Sequence, residues 1–340
     1  MVTRETILFA AQAHRDPVLD RKLGVHFGLR TAPHPSAEGL IAAGQSVVAI
    51  VASSADLPEQ IGERVLDGIP SVRILAARGS GADAFDAEAA RRRGIPILHN
   101  PGIASDAVVE WVVGVMPLLY RRFFSKAQAF RAGHWGIRSS LDPQLAGATV
   151  GVLGLGEIGT AVARRCRHAY DVRVVTYHPR LTATEATRRG AELLESLDSL
   201  MRMADVVVVA TPLTPETRGL VTDRQLNLLK PSSVIIDVAR GGVVDERALI
   251  RAIQDRRIAG AAMDVYEAEP PSVDNPLFDL DNVFLTPHCA GISLEARSRL
   301  TDSTARNLLR ALRGERPDRL VDESCWPPRR LPPGDSSILG

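Results

Sequence analysis

Gly154-Leu155-Gly156-Glu157-Ile158-Gly159 directly follows the apolar run 148–153 and directly precedes Thr160-Ala161-Val162-Ala163. That order is strand, glycine turn, helix, which is what a dinucleotide pyrophosphate requires. The first glycine permits the tight turn, and the second lets the backbone approach the phosphates. The third lets the helix pack close to the strand, so that its N-terminal N–H groups face the anion. Glycine-rich loops are common, and the motif gains its specificity from the strand on one side and the helix on the other.

Three short segments downstream carry residues suited to chemistry. Residues 234–242 form a strand running into a loop that holds Arg240. Residues 262–270 form a second strand end with Asp264, Glu267 and Glu269. Residues 283–291 form a third, with His288 and Cys289. In an open α/β sheet, ligands bind outside the carboxyl ends of the strands. Arginine, carboxylate and histidine at three such ends are therefore expected to converge. Singly, each fits a surface arginine, a solvated acid or a capping histidine; three together after a dinucleotide turn point to a reaction site.

With these residues the chain resembles the D-isomer-specific 2-hydroxyacid dehydrogenase family. The matching segments are GLGEIG at 154–159, DVARGGVVDE at 237–246, DVYEAEP at 264–270 and TPHCAG at 286–291. Arg78-Gly79-Ser80-Gly81-Ala82-Asp83, Asn100-Pro101-Gly102 and Trp135 match further upstream, so the resemblance spans roughly residues 45 to 326. It implies that Arg240, Glu269 and His288 are the catalytic residues, with Glu267 the competing acid. It implies dinucleotide contacts from the 154–159 turn, His178, Pro179, Arg180, Thr211, Pro212, Thr217, Val238, Ala239, Asp264, His288 and Gly291. Substrate contacts would come from Arg78, Gly79, Ser80, Gly81, Arg240 and His288.

The roles follow from the chemistry of reducing a 2-keto acid. C2 needs a hydride, the carbonyl oxygen needs a proton, and the carboxylate must be fixed so that one face meets the nicotinamide. Histidine is the side chain that most readily gives and regains a proton near neutrality. Glu269 hydrogen-bonded to its other ring nitrogen would fix the tautomer and favour the imidazolium. Arginine offers a planar fork suited to a carboxylate beside a keto oxygen. The N–H groups of Gly79, Ser80 and Gly81 would complete the carboxylate cradle.

Cofactor choice departs from the commonest family pattern. NAD-preferring members end the second strand on an aspartate that accepts from the adenosine ribose. Here His178 stands at that position, nineteen residues after Gly159, with Arg180 two residues on. With no carboxylate to repel a 2′-phosphate, NADP is favoured over NAD. Phosphoglycerate-type relatives carry an arginine-serine pair after a strand equivalent to 47–51. This chain has Ala52-Ser53-Ser54, hydroxyls without charge, which favours a small keto acid over a phosphorylated one. Two alternatives share the architecture: a phosphonate or phosphite dehydrogenase, and a dinucleotide-sensing corepressor-like scaffold.

Composition sets limits. A formal net charge of +1 over 340 residues gives no basic field for nucleic acid. Only three lysines stand among 41 basic residues, which reads as coding bias. Cys166, Cys289 and Cys325 lack metal-ligand spacing and suit a reducing cytoplasm. The N-terminus shows no long apolar signal segment. The most apolar stretch, 107–120, contains Glu110 and Pro117 and falls short of the ~20 residues of a membrane span. It reads as a buried helix between domains. The expected enzyme is a cytoplasmic homodimer without a metal, acting on a small 2-keto or 2-hydroxy acid.

Alternating strand and helix signals predict an α/β fold with two Rossmann-like domains and parallel sheets. The substrate domain, flavodoxin-like and discontinuous, would take residues 1–98 and 292–326, and the NAD(P)-binding Rossmann domain 99–291. Strands are expected near 7–10, 47–51, 72–76 and 97–98, then at 148–153, 172–177, 205–210, 233–238, 259–264 and 283–286. A helix over 293–313 returns to the first domain, and 327–340, with four prolines, is expected to be a flexible tail.

Overall fold

The computed structural model describes residues 4–54 and 57–328. The expected tail therefore lies, apart from Pro327 and Pro328, outside the described residues. The strands are β1 Thr6–Phe9, β2 Gly28–Thr31, β3 Val47–Ala52, β4 Ile74–Ala77, β5 Ile97–Leu98 and β6 Thr149–Leu153. They continue as β7 Arg173–Tyr177, β8 Glu192–Leu193, β9 Val206–Val209, β10 Val234–Asp237, β11 Gly260–Met263 and β12 Val283–Leu285. The helices are α1 Pro17–Gly24, α2 Ala37–Ala43, α3 Glu63–Gly68, α4 Ala87–Arg92, α5 Ser105–Tyr120 and α6 Phe123–Arg131. After them come α7 Glu157–Tyr170, α8 Ala183–Arg188, α9 Leu197–Met203, α10 Asp223–Leu226, α11 Glu246–Gln254 and α12 Leu294–Leu312. The chain divides into two compact units, 1–104 with 293–340, and 105–292.

The first unit holds a parallel sheet in the order β2-β1-β3-β4-β5, a flavodoxin-like winding. Its central strands are unbroken apolar runs, because helices cover both faces and no position has a wet side. Leu40, Val65, Leu66 and Ala89 from α2, α3 and α4 pack one face. Leu19 and Leu23 of α1, with Ala305, Leu308 and Leu312 of α12, pack the other. Asp16 starts α1 by accepting from the N–H groups of Val18 and Leu19, and Ser293 starts α12 by accepting from Ala296.

The second unit holds a seven-stranded parallel sheet, β12-β11-β10-β9-β6-β7-β8. Six of these strands follow the Rossmann winding, and β12 extends it by one. Helices α5 and α7 cover one face with Val109, Val112, Met116, Val162 and Cys166. Leu200, Leu226, Leu249 and Ile253 of α9, α10 and α11 cover the other.

Register is what positions the site. Leu153 pairs with Val209, Val209 with Asp237, Asp237 with Met263, and Met263 with Leu285. Five loops therefore leave the sheet along one line at its carboxyl edge, each about 4.8 Å from the next. The expected strands and the closing helix are all present, with ends shifted by one or two residues. Two strands, β2 and β8, carry no clear sequence signal: both lie at sheet edges and are only partly buried, and β8 is two residues long. Among the described residues, no helix is long and apolar enough to cross a membrane.

Candidate active site

The glycine turn sits where the winding of the second sheet reverses. A Cβ on Gly159 would lie 1.8 Å from the Gly154 carbonyl oxygen, so only glycine lets α7 begin this close to β6. A Cβ on Gly156 would meet nothing within 4 Å, which leaves open space in front of the turn. Gly156 is also the N-cap of α7, with no side chain bonded to the first-turn N–H groups. An uncapped helix start facing open space fits a pyrophosphate. Thr211 packs its backbone against Gly154, and Thr217 donates to the Pro212 carbonyl at 2.6 Å, fixing the loop that follows β9.

At the other end of the same edge, His288 Nδ1 lies 2.6 Å from Glu269 Oε2, and both side chains are partly exposed. Glu269 Oε1 accepts from the Tyr266 N–H at 3.1 Å, which orients the carboxylate. Burial pushes the Glu269 pKa up. The His288 hydrogen bond and charge, the Tyr266 N–H and Arg240 outweigh that and hold it below the ordinary value. An ionised Glu269 accepts from Nδ1–H, which leaves Nε2 as the nitrogen that exchanges a proton with a ligand. Glu267, the competing acid, instead accepts from the Glu246 N–H and is exposed.

His288 is held in the left-handed backbone region, φ 51°, a conformation that costs a non-glycine residue about 1–2 kcal/mol. The loop is pinned by Asp264, whose Oδ1 accepts from Thr286 Oγ1 at 2.5 Å and from the Cys289 N–H at 2.8 Å. Its Oδ2 accepts from the Ala290 N–H at 2.9 Å. Asp264, expected to face a nicotinamide, is buried and engaged with this loop.

Arg240 stands on the neighbouring loop, and its guanidinium donates to the Ala239 carbonyl at 2.7 Å. A Cβ on Gly241 would lie 1.8 Å from the Tyr266 carbonyl oxygen, so the arginine loop lies directly on the loop that carries Glu269. Tyr266 closes the set: its hydroxyl donates to the Thr286 carbonyl at 2.9 Å, ahead of His288. Arginine, glutamate and histidine thus share one corner, bound together through Tyr266.

Residues 113–290 match the model of the D-isomer specific 2-hydroxyacid dehydrogenase NAD binding domain. A glyoxylate reductase of Thermofilum pendens is 37% identical over 280 residues, 81% of this chain and 82% of that protein. The chain belongs to the D-isomer-specific 2-hydroxyacid dehydrogenases. A D-3-phosphoglycerate dehydrogenase of Methanocaldococcus jannaschii is 34% identical over 267 residues, and the match spans 51% of its length. An NADPH-dependent glyoxylate/hydroxypyruvate reductase of Sinorhizobium meliloti, solved with NADP and malonate, superposes with a TM-score of 0.84 at 30% identity. That match covers 97% of this chain and 100% of the solved one. This dehydrogenase uses NAD(P) and interconverts 2-keto and D-2-hydroxy acids.

In this dehydrogenase the second strand of the dinucleotide fold, β7, leads to His178, Pro179 and Arg180. His178 Nδ1 accepts from the Arg180 N–H at 3.1 Å. Burial, Arg180 and Arg189 lower the His178 pKa. Arg189, which motif matching passed over because it follows α8, donates to the Leu155 carbonyl at 2.6 Å. With Leu155, Gly156, Arg164 and Arg165 it lines a groove beside the glycine turn.

In the first unit, Gly79, Ser80 and Gly81 form an open loop after β4, all partly exposed. Arg78 turns away into its own unit. Its guanidinium donates to Asp16 Oδ2 at 2.6 Å, Thr301 Oγ1 at 2.8 Å and the His14 carbonyl at 3.2 Å. These contacts tie β4 to α1 and α12.

Proposed function

We propose that this enzyme reduces glyoxylate and hydroxypyruvate with NADPH, with His288 as proton donor, Glu269 as its partner and Arg240 as the carboxylate clamp. The observation that carries the assignment is the 2.6 Å Glu269–His288 couple beside the Arg240 loop. A bound nicotinamide supplies the hydride. Glu269 stabilises the imidazolium, Nε2–H of His288 gives its proton to the carbonyl oxygen as C2 is reduced, and the neutral ring keeps its Nδ1–H on Glu269. Reduction needs the protonated ring, and oxidation needs the neutral one. Arg240 holds the carboxylate and the keto oxygen in its fork.

The glycine turn, Thr211, Pro212, Thr217, Val238, Ala239, Asp264 and Gly291 are assigned to the dinucleotide. Preference for NADP is supported by the exchange of an acid for His178, and by Arg180 and Arg189 near it. Gly79, Ser80 and Gly81 are assigned to substrate through their N–H groups, with Arg78 as the brace of that loop. A cytoplasmic setting is supported by three free cysteines. A homodimer is supported by the exposed pair Phe130 and Trp135, whose rings lie 5.6 Å apart.

Initial rates with glyoxylate, hydroxypyruvate and, in the reverse direction, D-3-phosphoglycerate, each with both cofactors, test the proposal. Turnover of the two small keto acids with NADPH ahead of NADH is expected. A chain that oxidises D-3-phosphoglycerate faster than it reduces either keto acid overturns the substrate assignment.

A further inference from the structure

Tyr266 stands on the loop that follows β11, and its polar atoms meet all three loops of the active corner. Its N–H donates to Glu269 Oε1 on its own loop at 3.1 Å, and its carbonyl oxygen lies against Gly241 of the arginine loop. Its hydroxyl crosses to the loop that follows β12 and donates to the Thr286 carbonyl at 2.9 Å. The Met263 carbonyl, at 3.4 Å, is the farther acceptor and already takes the Thr286 N–H at 3.0 Å. Tyr266 is 6% exposed and belongs to the core that includes Leu249 and Leu277, so the hydroxyl has a fixed seat.

The Thr286 carbonyl has a second donor. The His288 N–H reaches it at 3.0 Å across Pro287, whose own nitrogen has no hydrogen to give. A carbonyl oxygen carries two lone pairs, so both donors are accommodated at once. His288 has a φ of 51°, and a non-glycine residue stays in that region only where its surroundings hold it there. Asp264 holds Thr286 Oγ1 before the turn and the Cys289 and Ala290 N–H groups after it. Between those two holds, the turn through Pro287 closes on the carbonyl that Tyr266 grips.

We propose that the Tyr266 hydroxyl positions His288: by fixing the carbonyl that accepts the His288 N–H, it sets the imidazole against Glu269. The same residue aligns the partner, because its N–H orients the carboxylate that His288 Nδ1 meets at 2.6 Å. One tyrosine thus sets both halves of the couple. Burial, followed by the charges of Asp264, Glu246 and Glu269, pushes the phenol up to about 12 against the opposing Thr286 bond, so the hydroxyl stays a donor. The inference rests on the reading of His288 as the proton donor.

Tyr266→Phe removes the hydroxyl and keeps the ring and both backbone contacts. Three quantities are measured in variant and wild type. They are the single-turnover rate of NADPH oxidation at saturating glyoxylate, the pair KM for glyoxylate and Kd for NADPH, and the proton resonance of His288 Nδ1–H. The resonance is assigned by its disappearance in His288→Gln. A displaced donor slows proton transfer, so the rate falls by roughly tenfold while KM and Kd move by less than about twofold. The Nδ1–H resonance, far downfield in wild type because of its short bond to a carboxylate, moves upfield.

A ring that only fills the core leaves rate and resonance unchanged, since phenylalanine fills the same space, and that result overturns the proposal. A slower rate with an unmoved resonance overturns it too, as does a KM or Kd that rises as much as the rate falls. If His288→Gln keeps the wild-type rate, the donor assignment has failed. The resonance in Tyr266→Phe then decides alone whether the hydroxyl holds the ring: a shift upholds it, and an unmoved signal overturns it.

Discussion

Both units place an arginine, a histidine and an acid at the carboxyl ends of parallel strands, and they use them oppositely. In the first unit, Arg78 meets Asp16 at 2.6 Å with both side chains about nine-tenths buried. His14 is 1% exposed, with its ring against the backbone nitrogens of Ala11 and Ser53. In the second unit, Glu269 and His288 meet at the same distance but stay 23% and 32% exposed. Burial raises the Asp16 pKa, and the Leu19 N–H, Thr301, Arg78 and the Val18 N–H overcome it and hold the acid ionised. A sealed pair fixes a loop, whereas a half-open pair whose histidine keeps one nitrogen outward can move a proton. Residue type and strand-end placement are shared; access and the second partner separate structure from chemistry.

The largest effect that would sharpen this contrast is His288→Gln. An amide can hold the substrate oxygen without delivering a proton, so kcat drops by ~10²–10⁴ while NADPH binding persists. A variant retaining more than half of wild-type kcat removes His288 from the acid role. Arg78→Leu tests the sealed pair. It leaves Asp16 buried without its counter-charge and lowers stability by about 3–5 kcal/mol in denaturant titration. A loss under about 1 kcal/mol, the range of a surface pair, would break the distinction.

Arg240→Lys keeps the charge and loses the fork. KM rises and kcat falls together, with kcat/KM down by roughly 10–100-fold and the unfolding midpoint little changed. Unchanged kinetics would move the clamp elsewhere. The smallest effect is expected at the rim of the dinucleotide site. Arg189→Ala weakens NADPH binding by about tenfold relative to NADH, the loss of one charge-assisted hydrogen bond. Equal weakening of both cofactors would place Arg189 away from a 2′-phosphate.

Much of the fold was legible because its interior strands are continuous apolar runs between turn signals, as at 47–52 and 206–209. Two of the four edge strands, β2 and β8, were not, since an edge needs neither a long run nor a buried face. Arg240, Glu269 and His288 stood out because their segments match a family pattern in order and spacing. Their mutual wiring did not: Tyr266 reaches the Thr286 carbonyl of the neighbouring loop, and only strand register brings those loops together. Arg189 was hidden because a helix end lacking a motif reaches the glycine turn only once α8 has packed. Arg78 shows the converse, a motif arginine whose partners, Asp16 and Thr301, lie far off in sequence.

The most direct test of the central claim is the chirality of the product. Hydroxypyruvate is incubated with wild-type enzyme and NADPH, and the glycerate formed is resolved on a chiral column against the NADPH consumed. A clamp at Arg240 and a donor at His288 on one fixed side predict a single enantiomer, which in a D-isomer-specific family is D-glycerate, one molecule per NADPH oxidised. L-glycerate, a racemate, or NADPH oxidation without glycerate would contradict the account.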